Sequence, residues 1–297
     1  MTEGRPDNRR LPRIPEPGER IPLLIDTDCG CEVDDQFAIA LAVHCPGRFD
    51  IQGFVTTHYH DDPASMDQGH AETRRVLDLC GVAGKYPVKK GGPPLQFSSA
   101  PSPSEACDFI IDRAMQHTPE RPMWIVVLGC CTNTASALIK CPEIADRVVV
   151  LFHGRTQFWP HKASNFNISG DLKACLKLMT STVPYVLFDT GTYLRCPAEQ
   201  TERRLAPLGR IGAYLHEIRM RRPYSASEKK GFFDLGDIAF LVDPTLADYE
   251  VTEIGTLGGD GLWRWDRTFG DILRVYQIDR PRTFELLFQR LEAGETE

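Results

Sequence analysis

Four aspartates fall within ten residues of this chain: Asp26, Asp28, Asp34 and Asp35, in the loop Asp26-Thr27-Asp28-Cys29-Gly30-Cys31-Glu32-Val33-Asp34-Asp35. Carboxylates this close repel one another unless a cation sits among them or some keep their protons. A hard cation such as calcium suits the loop, because it takes about six to eight oxygens from carboxylates, backbone carbonyls and water and tolerates irregular geometry. Gly30 permits the tight turn such a loop needs. The plainer alternative is that Asp34 and Asp35 favour a helix N-terminus through its dipole while Asp26 and Asp28 are solvated. That explains an acidic pair better than it explains four aspartates behind a buried strand.

Other chemistries use Asp-x-Asp at a strand end. Haloacid-dehalogenase-like phosphatases make the first aspartate a nucleophile, but their loop continues with Gly-Thr or a similar hydroxyl residue, which is absent here. A glycosyltransferase would bind manganese and a nucleotide sugar there, and nothing else in the chain supports that.

The elements that must position the loop are short apolar runs: Leu23–Ile25, Ile51–Thr56, Met123–Leu128, Val148–Phe152 and Val183–Phe188. Continuous rather than alternating hydrophobicity predicts strands covered on both faces, as in a mostly parallel sheet. Amphipathic segments lie between them, at Asp35–His44, Ala71–Leu79, Asn133–Ile139 and Leu172–Met179. Ser102-Pro103-Ser104-Glu105 predicts one more helix start, with Ser102 as N-cap, Pro103 at the first helical position and Glu105 closing a capping box. The alternation predicts a doubly wound, Rossmann-like α/β fold with helices flanking a central sheet. Ligands of such sheets bind beyond the carboxyl ends of the strands, where the acidic loop lies.

With 297 residues, 42% of them hydrophobic, the chain can bury an ample core without a disulfide or metal staple. Residues 1 to 20, with Pro6, Pro12, Pro15, Pro17 and five arginines, read as a disordered tail, and residues 21 to 297 as a single domain. Lys and Arg total 34 against 41 Asp and Glu, a net charge of −7, so no basic stripe is available for nucleic acid. No apolar run approaches the ~18 residues of a membrane helix. Ten cysteines without zinc-ribbon or disulfide-scaffold spacing predict a reducing, cytoplasmic setting. Cys29, Cys31, Cys130 and Cys131 fit neither a redox Cys-x-x-Cys nor a structural zinc motif.

The loop resembles the Asp-Thr-Asp-x-Gly-x-Asp-Asp signature of nucleoside hydrolases. It is closer still to their longer form, Asp-Thr-Asp-x-Gly-x-Asp-x-Asp-Asp, from which it departs at Glu32. Further blocks follow in the family's order. Thr56-Thr57-His58-Tyr59-His60-Asp61 is similar to Thr-Thr-x-x-Gly-Asn, and Gly129-Cys130-Cys131-Thr132-Asn133 to Gly-Pro-Leu-Thr-Asn. Asn165-Phe166-Asn167 with Asp171 is similar to Glu-Phe-Asn followed by Asp-Pro-Glu-Ala, and Phe233-Asp234 to the C-terminal His-Asp block. The blocks span about residues 21 to 250.

The resemblance implies calcium-dependent hydrolysis of the N-glycosidic bond of a ribonucleoside or related N-riboside, giving ribose and free base, by a homodimer or homotetramer. Carried over by position, Asp28, Asp35, the Leu128 carbonyl and Asp234 bind calcium, with ribose hydroxyls and a water completing the shell. Asp28 doubles as the base that deprotonates that water, and nearby carboxylates stabilise an oxocarbenium-like transition state. Asp34, Asp61, Asn165 and Asn167 hold ribose, with Phe233 and Asp234 beside them, while Asp26 organises the loop. Turn chemistry is the alternative for the two asparagines.

The departures concern leaving group and sugar. Phe233 stands where many members carry a proton-donating histidine, Asn165 replaces a glutamate, Asp61 an asparagine and His60 a glycine. Candidates to protonate the base are His58, His60 and His161, and Trp159 is a candidate to stack on it. Trp263 and Trp265 are weaker aromatic candidates. A catalytically impaired ribose- or nucleoside-binding member of the same fold is the competing reading.

Overall fold

Each apolar run predicted as a strand is one in a computed structural model of the chain, which describes residues 9–59, 62, 64–155, 165–294 and 296. In chain order come β1 (Ile21–Thr27), α1 (Asp34–Val43), β2 (Phe49–Thr56), α2 (Ser65–Leu79), β3 (Val88–Lys90), α3 (Glu105–Ala114), β4 (Met123–Val127) and α4 (Thr132–Lys140). They are followed by β5 (Val148–Arg155), α5 (Phe166–Gly170), α6 (Leu172–Thr180), β6 (Tyr185–Asp189), α7 (Ala198–Arg204), α8 (Gly209–Met220), α9 (Pro223–Ala226) and α10 (Phe233–Val242). A hairpin of β7 (Ala247–Leu257) and β8 (Trp263–Ile278) precedes α11 (Arg280–Ala293).

The sheet order is β3-β2-β1-β4-β5-β6-β8-β7, with every neighbouring pair parallel except β7 and β8. Side chains alternate between two cores, as the period of two requires. Leu23, Ile25, Trp124 and Val126 enter one core, whereas Leu24, Met123, Ile125 and Val127 enter the other. Strands β1, β4 and β6 are buried along their whole length, which is why their sequences do not alternate. The order reverses between β1 and β4, and such a switch point opens a crevice at the carboxyl ends of the two strands.

One local expectation is corrected. Helix α3 is capped by Ser104, whose side chain accepts from the Cys107 N–H, and not by Ser102. Ser102 is buried, and its N–H donates to Ser136 Oγ at 3.0 Å, so a tertiary contact holds it outside the helix. Residues 9–20 run along the body. The Arg9 guanidinium donates to the Ser181 carbonyl, and Arg48 donates to the carbonyls of Pro15 and Glu19. Trp263 and Trp265 stack at 6.1 Å within the hairpin, Trp263 fully buried, so they pack the second core. Among the described residues, no helix is long and apolar enough to cross a membrane.

Candidate active site

At the β1–β4 crevice the chain turns sharply after β1. The Cys31 N–H bonds the Asp28 carbonyl at 2.9 Å, and Gly30 takes φ 98°, a conformation favouring glycine. Opposite, a Cβ at Gly129 would stand 2.8 Å from Asp28 Cβ, so only glycine lets the strand-end loop approach so closely. Thr27 Oγ donates to Asp35, and its own oxygen accepts from the Cys29 N–H at 3.1 Å. Asp26 lies behind the loop, accepting from Asn133 Nδ2 at 2.9 Å and Thr134 Oγ1 at 3.2 Å. It ties β1 to α4.

These contacts open a cleft of about 710 Å³ lined by Asp28, Asp34, Asp35, Leu128, Asn165, Asn167, Phe233 and Asp234 among others. The residues predicted for metal all line it, as do Asp34, Asn165, Asn167 and Phe233 of those predicted for the substrate. The four aspartates of the cleft are buried. Burial, then the neighbouring Asp35 and Asp34, push Asp28 well above the usual carboxylate range. Burial and Asp34 push Asp35 up to about 7, and burial with Asp34, Asp35 and Asp28 raises Asp234 well above its ordinary value.

The donor set fits a divalent cation. Carboxylate oxygens of Asp34, Asp35 and Asp234 lie within 4.8 Å of one another, all buried, and their mutual repulsion is what such an ion relieves. The Leu128 carbonyl accepts from Asn167 Nδ2 at 2.6 Å and has a second lone pair for an ion.

Asn165 lines the cleft while its Oδ1 caps α5, accepting from the N–H groups of Asn167 and Ile168, the turn role that was its alternative. His58 is not on the cleft wall. It is buried, and its Nε2 lies 2.8 Å from Thr132 Oγ1. His60, Asp61, Trp159 and His161 lie outside the described residues. Cys29, Cys130 and Cys131 are buried, and burial raises their thiol pKa values, which opposes thiolate chemistry.

Two groups in the cleft have no counterpart in the sequence reading. Lys230 has a fully buried side chain whose Nζ donates to Asp34 Oδ1 at 2.7 Å and to Glu32. Burial works against its charge, but Asp34 and Glu32 outweigh it and hold its pKa above the ordinary value. His153, at the end of β5, has its Nδ1 2.7 Å from Asp237 Oδ2. Lys229-Lys230 reads locally as a solvated pair and His153 as one histidine in an apolar strand, so only the fold reveals either.

Fold and site together define a carboxylate-lined cleft at the switch point of a doubly wound sheet. The model of the inosine-uridine preferring nucleoside hydrolase family matches residues 23–259, and the chain belongs to that family of N-glycosyl hydrolases. An uncharacterized protein of Schizosaccharomyces pombe is 30% identical over 238 residues, 69% of this chain and 74% of that one. The non-specific ribonucleoside hydrolase RihC of Shigella flexneri serotype 5b is 29% identical over 262 residues, 76% and 81% of the two chains. Among solved structures, the plant nucleoside hydrolase PpNRh1 superposes with a TM-score of 0.74 at 20% identity, covering 92% of this chain and 99% of that one. A purine-preferring ribonucleoside hydrolase from Gardnerella vaginalis gives 0.73 at 22%, covering 92% and 98%. At those identities the structures speak for the fold.

Proposed function

We propose that the protein hydrolyses the N-glycosidic bond of a ribonucleoside or related N-riboside, releasing ribose and free base, with a calcium ion held by Asp28, Asp35, the Leu128 carbonyl and Asp234. The observation that carries this reading is the convergence of those four groups in one buried cleft at the switch point of the sheet. A bound cation of this kind neutralises the carboxylates and lowers the pKa of a coordinated water.

Asp28, which lines the cleft, accepts the proton of the attacking water. Asp34, fixed by Lys230, and Asn167, fixed by the Leu128 and His153 carbonyls, orient the ribose hydroxyls. Asp61 and Asn165 add sugar contacts. As the C–N bond lengthens, the carboxylates stabilise the positive charge growing on the sugar. With His58 turned toward Thr132, His60 and His161 are the remaining proton donors for the departing base, and Trp159 its stacking partner. Ten cysteines, none of them in a disulfide, suit a reducing cytoplasm, and the resemblance supports a homodimer or homotetramer.

The second reading, a ribose-binding protein without turnover, draws on Phe233, which lines the cleft and carries no proton to give. Both are tested by measuring free ribose across purine, pyrimidine and modified nucleosides, with and without chelator, beside Asp28→Asn. Hydrolysis is expected to stop on chelation and to fall about 10²- to 10⁴-fold in the variant. Activity that survives both sinks the cation-and-base mechanism. No turnover by the native protein, with ribose still raising its melting temperature, selects the binding reading.

A further inference from the structure

We propose that His153, Asp234 and Asp237 form a second cation subsite, sharing Asp234 with the carboxylate cluster and taking a divalent ion that accepts an imidazole ligand, such as Mn²⁺, Co²⁺ or Zn²⁺. It rests on the calcium reading only through that shared residue.

Asp234 and Asp237 stand three residues apart in the first turns of α10, hence on one helix face, and His153 reaches them from the end of β5. One ring nitrogen and one oxygen from each carboxylate come within 4.8 Å of one another, and all three residues are buried. His153 Nδ1 is bonded to Asp237 Oδ2, yet His153 Nε2 and Asp237 Oδ1 are buried and have no hydrogen-bond partner among the described residues. Buried polar atoms in native folds are nearly always satisfied, so two orphans on adjoining groups ask for a ligand.

The nature of that ligand follows from access and donor type. Both orphan atoms are buried, and His153 lines the cleft from which an ion would enter. Asp237 and the shared Asp234 supply carboxylate oxygens, and His153 an imidazole nitrogen, for a divalent cation. Calcium takes oxygen donors, whereas a mixed nitrogen and oxygen set suits manganese, cobalt or zinc. The plainer alternative is a buried His–Asp pair that only props α10 on β5.

The test titrates Co²⁺ into untagged full-length protein kept in excess Ca²⁺, following heat and visible absorption, for the native chain, His153→Ala and Asp35→Asn. The native chain is expected to take up one Co²⁺ beyond its calcium. His153→Ala should weaken Co²⁺ binding by about ten- to a hundredfold or more with calcium affinity unchanged. Asp35→Asn should lose calcium and keep Co²⁺. Equal Co²⁺ binding by the native chain and His153→Ala, or uptake only by displacing calcium, overturns the proposal. Co²⁺ bound through His153 in a protein that takes no calcium would instead overturn the calcium reading. Should His153→Ala not fold, nuclear double resonance on the Mn²⁺-loaded native chain decides: a ¹⁴N coupling from imidazole is expected, and its absence refutes the subsite.

Discussion

Lys230 is a buried ammonium, a group that costs several kcal/mol to desolvate unless carboxylates surround it. Asp34, with 4% of its side chain exposed, supplies the strong partner, whereas Glu32, at 44%, is screened by solvent and adds little. The rings of Phe233 and Phe232 lie 5.2 and 5.9 Å from Nζ and add a cation–π contribution. Replacing the ammonium leaves Asp34 buried and uncompensated among like charges. Lys230→Gln is therefore expected to lower unfolding stability in chelator by about 3 to 5 kcal/mol. Urea denaturation with an unchanged slope checks this, and a loss below about 1 kcal/mol would mean that the buried Lys230–Asp34 pair does not hold the fold. None of this was legible locally, since Lys230 and Glu32 stand 198 positions apart. Asp28, Asp34 and Asp35 were legible because their crowding carries its own electrostatic signature.

Among the elements, Asp171 shows how side chains outside the cleft hold its walls. It caps α6, with Oδ1 accepting from the Ala174 N–H at 3.0 Å, while Oδ2 accepts from the Leu95 N–H and from Thr132 Oγ1, each at 2.8 Å. Because Thr132 spends its proton on Asp171, His58 donates from Nε2 to the Thr132 oxygen. The loop after β2 is thereby tied to the start of α4, and α4 to α6. Asp171→Ala strips a cap worth about 1 kcal/mol and leaves two further buried donors unpaired at about 1 to 3 kcal/mol each. A loss of about 3 kcal/mol or more is expected in thermal and urea unfolding; a loss of only about 1 would reduce Asp171 to its cap. The parallel strands were readable because burial on both faces makes them continuously apolar. The β7–β8 hairpin was not, because β7 exposes most of its first seven residues at the sheet edge and has no such run. The cap of α3 was misplaced by two residues because two serines each sit near a glutamate-led start, and the contact with Ser136 that decides between them is remote in sequence.

At the scale of the whole molecule, the buried carboxylates make stability depend on pH and on cation together. Asp26 and Asp35 are each pushed up to about 7, chiefly by burial. A carboxyl whose folded pKa is raised holds its proton more tightly when folded. Its contribution is therefore fully present below the ordinary range near pH ~4 and is lost as pH rises through about 7, at about 1.4 kcal/mol per pH unit per group. In chelator, the melting temperature is expected to fall by several degrees between pH 5 and pH 7.5. The two groups respond differently to a cation. Asp35 lines the cleft, and an ion bound there favours its ionised form; Asp26 is bonded to Asn133 and Thr134 behind the loop and does not line the cleft. Added calcium should thus raise the melting temperature more at pH 7.5 than at pH 5, removing the Asp35 share of the slope and leaving that of Asp26. Differential scanning calorimetry at both pH values, with calcium and with chelator, reads this directly. Parallel pH profiles with and without calcium would show that the ion does not sit on these carboxylates.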